Sequence, residues 1–328
     1  MPSFISRESH RVERAVNSRS ICEYHDVRTV NSTPQISAVI CTRDRPEMLR
    51  RAIASVLANT GVQFELVVID QSDNAASAEV VESFGESLRY VKSDTRGLSK
   101  ARNLGARLAR AEVVAFTDDD CEVPDGWLRR AVEVMQGQPE AALCYGTVTA
   151  APELQSKHGS VPALQVSHRR LVGGTRPYEL FGMGANMVVL RSAFEEIGGF
   201  DEMLGAGGQL KSSEDFDLQF RAHRLKRSTL LEPSLQVVHY GFRDRTEWKG
   251  LFWRDGVGVG AFFMKHIRLR DWLAAKGFLR LVAIESLRAG KSLVVRRDPG
   301  RAFFLGALFV GAARSLRYPV DRQTRRYA

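Results

Sequence analysis

The chain has 328 residues, of which 44% are hydrophobic and 26% are charged. This composition is typical of a globular protein with one large or two moderate domains, and it excludes a disordered, collagen-like or disulfide-stapled chain. The net charge of +9 is uneven, since residues 241–328 carry +12 and residues 1–240 carry −3. Such a basic segment could meet nucleic acid, an anionic membrane or an anionic substrate.

Residues 1–34 are polar and show no clear periodicity. We expect them to form an N-terminal extension that is either poorly ordered or packed on the surface, without a secretory signal. The cysteines are widely spaced and form no CxxC pair, which favours free thiols in a reducing compartment. They are Cys22, Cys41, Cys121 and Cys144.

From residue 36 onward, β-rich runs alternate with helical patterns. Strands are predicted at 36–41, 64–69, 88–91 and 113–116, and helices from Pro46 to just before Gly61 and through 101–108. This alternation is typical of crossover units around a parallel sheet. Ligands of such sheets bind at the carboxyl ends of the strands. No GxGxxG or GxxxxGK[ST] loop opens a helix, which disfavours a dinucleotide dehydrogenase or a P-loop enzyme.

The second half of the sequence alternates less regularly. Residues 150–182 are rich in Gly, Pro, Ser and His, and they predict a long loop over a site. The further elements that we predict are a strand at 186–190, a turn at 198–201, a helix that begins at Glu214 and a final strand at 235–240.

Three consecutive carboxylates, Asp118, Asp119 and Asp120, follow the fourth predicted strand. They repel each other unless a cation or water screens them. Oxygen ligands at this density suit Mg²⁺ or Mn²⁺ that holds a diphosphate. The alternative is a solvated acidic turn that caps the next helix.

Other polar pairs each allow two interpretations. Glu214 and Asp215 open a helix whose dipole stabilises their charge, so they provide either a general base or a helix cap. Arg102 and Asn103 could contact a nucleotide or its phosphate, or lie on a solvated basic face. His239 follows a strand and gains significance only as a non-carboxylate ligand that would complete a metal site.

Six segments occur in an order that resembles family 2 glycosyltransferases, over about residues 35–242. They are SAVICTRDRP, VVIDQSD, GLSKARNLGARLARAEVVAFTDDD, GANMVV, GGFDE and SSEDFDL. The resemblance implies a GT-A fold, an α/β architecture with a mostly parallel central sheet flanked by helices. Residues 35–125 would form a nucleotide-binding half, residues 126–245 an acceptor-binding half, and residues 246–328 a basic helical extension.

The resemblance also implies an inverting, metal-dependent transferase that moves one sugar from a nucleotide-diphosphate sugar to an acceptor hydroxyl. The acceptor would be a glycan or a lipid-linked molecule in polysaccharide, lipopolysaccharide or glycolipid synthesis. Because the sequence has no QxxRW motif, processive synthesis is disfavoured. The matching donor positions are Thr42, Arg43, Arg45, Asp70, Arg102, Asn103, Asp118 and Asp119.

Roles follow from the same matched positions. Asp70 would contact the base, typically uracil, so UDP is the expected carrier. Asp120 and His239 would bind Mn²⁺ or Mg²⁺, although the triple Asp leaves the register of the DxD-type motif open. Asp215 would be the catalytic base, with Glu214 beside it. The expected acceptor-side positions are Gly184 and Asn186.

The basic C-terminal segment offers two alternatives. Its longest uncharged stretch, Ala302 to Ala313, has 12 residues, whereas a helix needs about 20 to cross a bilayer. Residues 257–328 could lie on an anionic membrane or pack as core helices on the catalytic domain, and coincident charge and apolar bulk favour the membrane. We therefore expect a cytoplasmic protein on the inner face of a bacterial plasma membrane.

Other functions fit the sequence less well. Nucleic-acid binding is disfavoured because the acidic cluster would repel a phosphate backbone. A nucleotidyltransferase would need a Gly-rich, Lys-bearing loop after the first strand, and Thr42 to Pro46 is not such a loop. A catalytically silent relative that binds a nucleotide sugar or a glycan as a scaffold stays open.

Overall fold

A computed structural model describes residues 21–25, 33–154, 159–173, 182–292, 294 and 300–328. Its strands are β1 (Ile21–His25), β2 (Ile36–Thr42), β3 (Phe64–Asp70), β4 (Arg89–Ser93), β5 (Val113–Asp118), β6 (Cys121–Glu122), β7 (Ala141–Ala150), β8 (Gly159–Ser160), β9 (Arg170–Val172), β10 (Asn186–Leu190), β11 (Ser228–His239) and β12 (Arg243–Asp244). Its α-helices are α1 (Pro46–Leu57), α2 (Ala76–Glu82), α3 (Leu98–Leu108), α4 (Trp127–Gln136), α5 (Arg191–Ile197), α6 (Glu214–Arg224), α7 (Arg245–Arg268), α8 (Trp272–Lys291) and α9 (Gly300–Ser315). Short 3₁₀ turns lie at Gly85–Ser87 and Pro152–Leu154.

Within these ranges a ten-stranded sheet has the order β1-β4-β3-β2-β5-β10-β7-β11-β6, and β9 also pairs with β11. Strands β4, β3, β2 and β5 are parallel, as the alternation of strands and helices predicts. Their register aligns Thr42 with Asp70 and Cys41 with Asp118. The polar residues that follow these strands therefore meet at one edge of the sheet.

The second half of the sheet mixes strand directions. Strand β10 runs antiparallel to both of its neighbours, β5 and β7, whereas β7 and β11 are parallel. The sequence analysis missed β7, because its run of Ala, Gly and Thr carries few large apolar side chains. The strand is stabilised by pairing with β10 on one side and β11 on the other. The sequence analysis also placed the start of β11 too late, because Pro233 interrupts the strand pattern where the β7–β11 register shifts.

Both faces of the sheet are covered by helices. Ile36, Ala38 and Ile40 pack toward α1 and α4, while Val39 packs on the other face toward α3, α5 and α6. This period of two, with both faces apolar, is expected for parallel strands buried between helices. Within the predicted N-terminal extension, residues 21–25 form β1, which pairs antiparallel with β4. Residues 1–20 and 26–32 lie outside the described residues.

The C-terminal helices pack on the rest of the chain. Phe220 of α6 contacts a cluster that includes Phe262 and Phe263 of α7 and Leu308 of α9. Helices α7 and α9 approach so closely that a Cβ at Gly260 or Gly311 would clash with the backbone of the partner helix. Of the two alternatives for the basic C-terminal segment, packing as core helices therefore applies to α7 and α9. In the part of the chain described here, no helix has the length and apolar character needed to span a membrane.

Candidate active site

A cavity of about 860 Å³ lies at the carboxyl ends of β2 and β5. It is closed by the start of α6, by the end of β11 and by residues of α7 and α9. The sequence-predicted positions that line it are Thr42, Arg43, Arg45, Arg102, Asp118, Asp119, Asp120, Gly184, Glu214, Asp215 and His239.

Arg102 of α3 joins two acids that are far apart in the sequence. Its guanidinium donates to Asp118 Oδ1 at 2.7 Å and to Glu214 Oε1 at 3.2 Å. The Arg102 side chain is 2% exposed, so both ion pairs are shielded from bulk water. This pairing fixes the start of α6 against the acidic turn after β5.

Asp119, between the other two acids of the turn, is bonded by two protein side chains. Thr42 Oγ1 donates to its Oδ2 at 2.8 Å, and Arg45 Nη1 lies 3.1 Å from its Oδ1. Burial raises the pKa of Asp119 to about 6, although Arg45 opposes that shift. Both oxygens of Asp119 therefore already have protein donors.

Asp120 and His239 face each other at the end of β11. His239 Nε2 lies 3.2 Å from Asp120 Oδ1, and Arg45 Nη1 lies 3.0 Å from Asp120 Oδ2. His239 Nδ1 lies 2.7 Å from the carbonyl oxygen of Pro162, which can only accept, so Nδ1 carries the proton. In neutral His239 the lone pair is therefore on Nε2, directed toward Asp120.

The space beside this pair suits an ion. A Cβ at Gly241 would lie 2.6 Å from His239 Nε2 and 2.7 Å from Asp120 Oδ2, so the glycine keeps the donors accessible. Ligand atoms of Asp120, Cys121 and His239 all lie within 4.8 Å of one another. The cross-strand register, which pairs His239 with Cys121, brings in a thiol that the sequence analysis did not consider as a ligand. The donor set fits a divalent cation that accepts oxygen and nitrogen ligands.

Asp215 lies half-buried on the cavity wall at the start of α6. Burial, followed by the neighbouring charge of Glu214, raises the pKa of Asp215 to about 7. The residue before this pair, Ser213, has φ +73°, a left-handed conformation that is uncommon without glycine. Such strain is typical of residues that set the direction of functional side chains.

The structure does not bring three of the predicted positions to the cavity wall. Asp70 is fully buried and accepts from Tyr90 Oη at 2.7 Å and from Lys92 Nζ at 3.0 Å. Asn103 bonds the backbone of Phe200 through both its donor and its acceptor. Asn186 holds Trp127 and the carbonyl groups of Thr147 and Leu235 together.

Sequence reasoning also missed cavity residues in the second half of the chain. They include Lys211 from the loop before α6 and, after residue 240, Arg243, Leu251, Arg254, Asp255, Val259 and Phe304. The basic excess after residue 240 was the available signal, but it did not show that some of these cations face the cavity. Of the predicted long loop, Pro162 and Gly182 line the cavity, and residues 155–158 and 174–181 lie outside the described residues.

A family model described as "Glycosyl transferase family 2" matches residues 37–198. This match spans β2 to α5, including the acidic turn and Arg102. The matched region of the chain belongs to this family. It is a glycosyltransferase, as the resemblance of its motifs implied.

Among curated relatives, a glucosyl-dolichyl phosphate glucuronosyltransferase from Haloferax volcanii is 27% identical over 243 residues. That alignment covers 67% of this chain and 74% of the relative. Other relatives are longer, and the chain spans only 22% and 39% of two of them. The sequence similarity therefore covers a catalytic unit that also occurs inside larger proteins.

Two solved structures share the fold. A mannosyltransferase from Pyrobaculum calidifontis, in complex with GDP-Man and Mn²⁺, has a TM-score of 0.58 and 17% identity, and the match covers 87% of this chain and 88% of that one. S. aureus TarS 1–349, in complex with UDP-GlcNAc, has a TM-score of 0.56 and 16% identity, with 85% and 81% covered. The predicted GT-A fold is confirmed by these two structures.

Proposed function

We propose that this glycosyltransferase moves a single sugar, with inversion, from a nucleoside diphosphate sugar to an acceptor hydroxyl, with Asp215 as the base. The observation that carries the proposal is the half-buried Asp215, whose pKa of about 7 suits proton transfer, in one cavity with Asp120 and His239. The acceptor oxygen bonds to the anomeric carbon from the face away from the diphosphate. Asp215 takes the hydroxyl proton, and the diphosphate leaves with the electron pair of the broken bond.

Asp120 and His239 would hold Mn²⁺ or Mg²⁺, with Asp118 nearer to the ribose and the donor sugar. When bound, the metal supplies positive charge to the leaving diphosphate. Arg45 and Arg243 lie beside these residues and would bind phosphate oxygens. Thr42 and Arg43 line the same part of the cavity and would contact the nucleoside.

We infer UDP as the carrier from the matched position of Asp70. Since Asp70 lies beneath the cavity wall and holds Lys92 and Tyr90, it would act on the base through the strand end that it orders. The two similar structures hold GDP-Man and UDP-GlcNAc, so this fold accepts either purine or pyrimidine carriers in those proteins. The carrier must therefore be tested directly.

The acceptor would belong to polysaccharide, lipopolysaccharide or glycolipid synthesis at the inner face of a bacterial plasma membrane. An exposed face of α8 supports peripheral membrane contact, since Trp272 is 73% exposed and Leu287 is 77% exposed. Lys276 and Lys291 lie exposed on the same helix and suit anionic head groups. The double variant Trp272→Ser/Leu287→Ser should then co-sediment less with phosphatidylglycerol vesicles than wild type does.

The first test is calorimetric titration of UDP, GDP and dTDP with Mn²⁺, repeated with EDTA. We expect one diphosphate to bind, with the affinity lost in EDTA and in Asp120→Ala. Turnover of the matching sugar nucleotide, including its slow hydrolysis, then separates an enzyme from a silent scaffold. If a folded sample binds none of the diphosphates, the proposal fails and the scaffold alternative is favoured.

A further inference from the structure

The backbone at the start of α6 is held by a side chain of the central sheet. Tyr145 of β7 is fully buried, and its hydroxyl donates to the carbonyl oxygen of Asp215 at 3.2 Å. Burial raises the pKa of this phenol well above its usual range, so it stays a neutral donor. A carbonyl in the first turn of a helix already accepts from the amide four residues later, and its second lone pair can take another donor. The bond from Tyr145 therefore does more than satisfy a buried oxygen, because it ties Asp215 to the sheet.

The ring of Tyr145 supports a second element of the site, the segment 182–184. Gly182 has φ +102°, and a Cβ there would lie 2.6 Å from ring atoms of Tyr145. The backbone of the segment therefore lies directly on the ring, in a conformation that only glycine adopts readily. The N–H of Asn186 donates to the carbonyl oxygen of Met183 at 3.0 Å, which ties the same segment to the start of β10.

Gly184 connects this segment to the carboxylate of Asp215. Its backbone N–H donates to that carboxylate. A Cβ at Gly184 would lie 2.5 Å from Arg102 Nη1, so the glycine packs directly against the guanidinium. The N–H of Phe216 donates to Oδ1 of Asp215 at 2.8 Å. Two N–H donors on one carboxylate limit its rotation.

Hydrogen bonds and charges act on Asp215 in opposite directions. Burial and then Glu214 raise its pKa. The two N–H donors and the charge of Arg102 lower it, because they stabilise the ionised form. Asp118 and Asp255 act on Glu214 in turn. A movement that weakens the N–H bonds therefore raises the pKa of Asp215 further.

We propose that Tyr145 is a positioning residue for the base. Its hydroxyl holds the backbone of Asp215, and its ring holds the segment that ends in Gly184, so the carboxylate keeps one orientation toward the acceptor hydroxyl. Tyr145 lies behind the cavity wall rather than on it, and it acts through Asp215. This inference rests on the proposed function, because it concerns the proton transfer assigned to Asp215.

Tyr145→Phe removes the hydroxyl and keeps the ring. Because the N–H bonds to Asp215 weaken as the start of α6 moves, the acidic limb of kcat/KM should move to higher pH by about half a unit or more. At pH 6, kcat/KM should then fall by about threefold or more. The KM for the donor should stay within about twofold of wild type, because Tyr145 lies behind the wall. An unchanged limb and an unchanged kcat would overturn the proposal, even if the unfolding midpoint fell.

Tyr327→Phe is the matched control. Tyr327 is also buried, and its hydroxyl donates to the carbonyl oxygen of Ala261 in α7 at 2.7 Å and to Ser315 Oγ at 2.6 Å. This variant should lose stability and keep the wild-type pH profile. The same shift in Tyr327→Phe and Tyr145→Phe would mean that the profile responds to loosened packing in general, and the positioning role would be wrong.

Gly182→Ala tests the part played by the ring. Its Cβ would overlap the ring of Tyr145 and displace the segment, so we expect the same shift of the profile to higher pH. Gly85→Ala is the control for backbone strain, since Gly85 has φ +60° and a Cβ there would meet no described atom within 4 Å. A wild-type profile in Gly182→Ala would overturn the role of the ring.

A measurement that needs no turnover keeps the two proposals apart. Carbon-13 NMR of labelled aspartate carboxyl groups follows the titration of Asp215, and the resonance that Asp215→Asn removes identifies it. If wild type transfers no sugar but Tyr145→Phe raises this titration midpoint, the proposed function fails and the positioning role stands. If Asp215→Asn abolishes transfer while Tyr145→Phe changes neither the midpoint nor the rate, the proposed function stands and this inference fails.

Discussion

Two groups of charged side chains meet on helix α6. They differ in how many hydrogen-bond donors surround the aspartate at the centre of each group. Asp217 is fully buried and bonds Lys265 at 2.5 Å, Arg221 at 2.8 Å and His266 at 2.9 Å. Lys265 bonds Asp201 at 2.6 Å as well. Asp215, two residues earlier, faces the cavity, and within the described part of the chain its carboxylate accepts only from the backbone of Phe216 and Gly184.

The two aspartates therefore titrate in opposite directions. Burial would raise the pKa of Asp217, but Lys265 and Arg221 hold it well below its usual range. Burial and Glu214 raise the pKa of Asp215, and the charge of nearby Arg102 opposes them only in part. The comparison teaches that a sealed and fully paired acid stabilises the fold, whereas a cavity acid with spare capacity is available for proton transfer.

The largest expected effect on turnover comes from Asp215→Asn. Without the base, kcat should fall by about 10²–10⁴. Nucleotide affinity and the unfolding midpoint should stay close to wild type, because the isosteric amide keeps the backbone contacts. Near-normal turnover in a steady-state assay would show that another group takes the proton.

Asp217→Asn is the matched change in the sealed network. It should lower the free energy of unfolding by about 3–5 kcal/mol, because Lys265 and Arg221 lose their buried counter-ion. Urea denaturation measures this loss. A variant as stable as wild type would mean that the network contributes no net stability.

The pH dependence separates the two acids without mutation. At saturating Mn²⁺, kcat/KM should rise about tenfold per pH unit up to about 7 and then level off, as Asp215 loses its proton. The stability that Asp217 provides is complete above its unfolded pKa of about 3.9 and is lost only as pH falls through its lower folded pKa. A flat rate profile between pH 5.5 and 7.5 would contradict the role of Asp215.

Arg102→Lys tests a residue that belongs to both groups, because the Arg102 side chain is only 2% exposed and yet lines the cavity together with its partners Asp118 and Glu214. A single ammonium cannot bridge Asp118 and Glu214 as the guanidinium does. We expect a loss of about 1.5–3 kcal/mol in unfolding free energy from one broken charged hydrogen bond. A loss of kcat/KM without any change in stability would instead indicate direct contact between Arg102 and the donor.

Much of the first half of the fold could be predicted from the sequence. Strands such as Phe64–Asp70 are continuous apolar runs that end in polar clusters, and that local pattern is enough to place Thr42 and Asp118 at one sheet edge. The resemblance added Asp215, which the residues alone would have left as a helix cap.

The rest depends on contacts between distant parts of the chain. Arg254 reaches the cavity only because α7 packs against α9 and α6, which no local pattern reveals. Asn103 and Asn186 were expected at the site, but buried amides must satisfy several bonds, and nearby backbone groups do so. The sequence alone does not show whether a lysine and an aspartate will form a buried ion pair, as Lys265 and Asp217 do.

The tight contact between α7 and α9 has a consequence for how related chains diverge. Gly256 and Gly260 face α9, while Leu251, Asp255 and Val259, each four residues apart, face the cavity. A side chain on the glycine side would push the two helices apart. Val259 also packs against Leu308 of α9, so only Leu251 and Asp255 can change without disturbing the helix pair. This end of the cavity wall can therefore vary while the packing of α7 on α9 is kept.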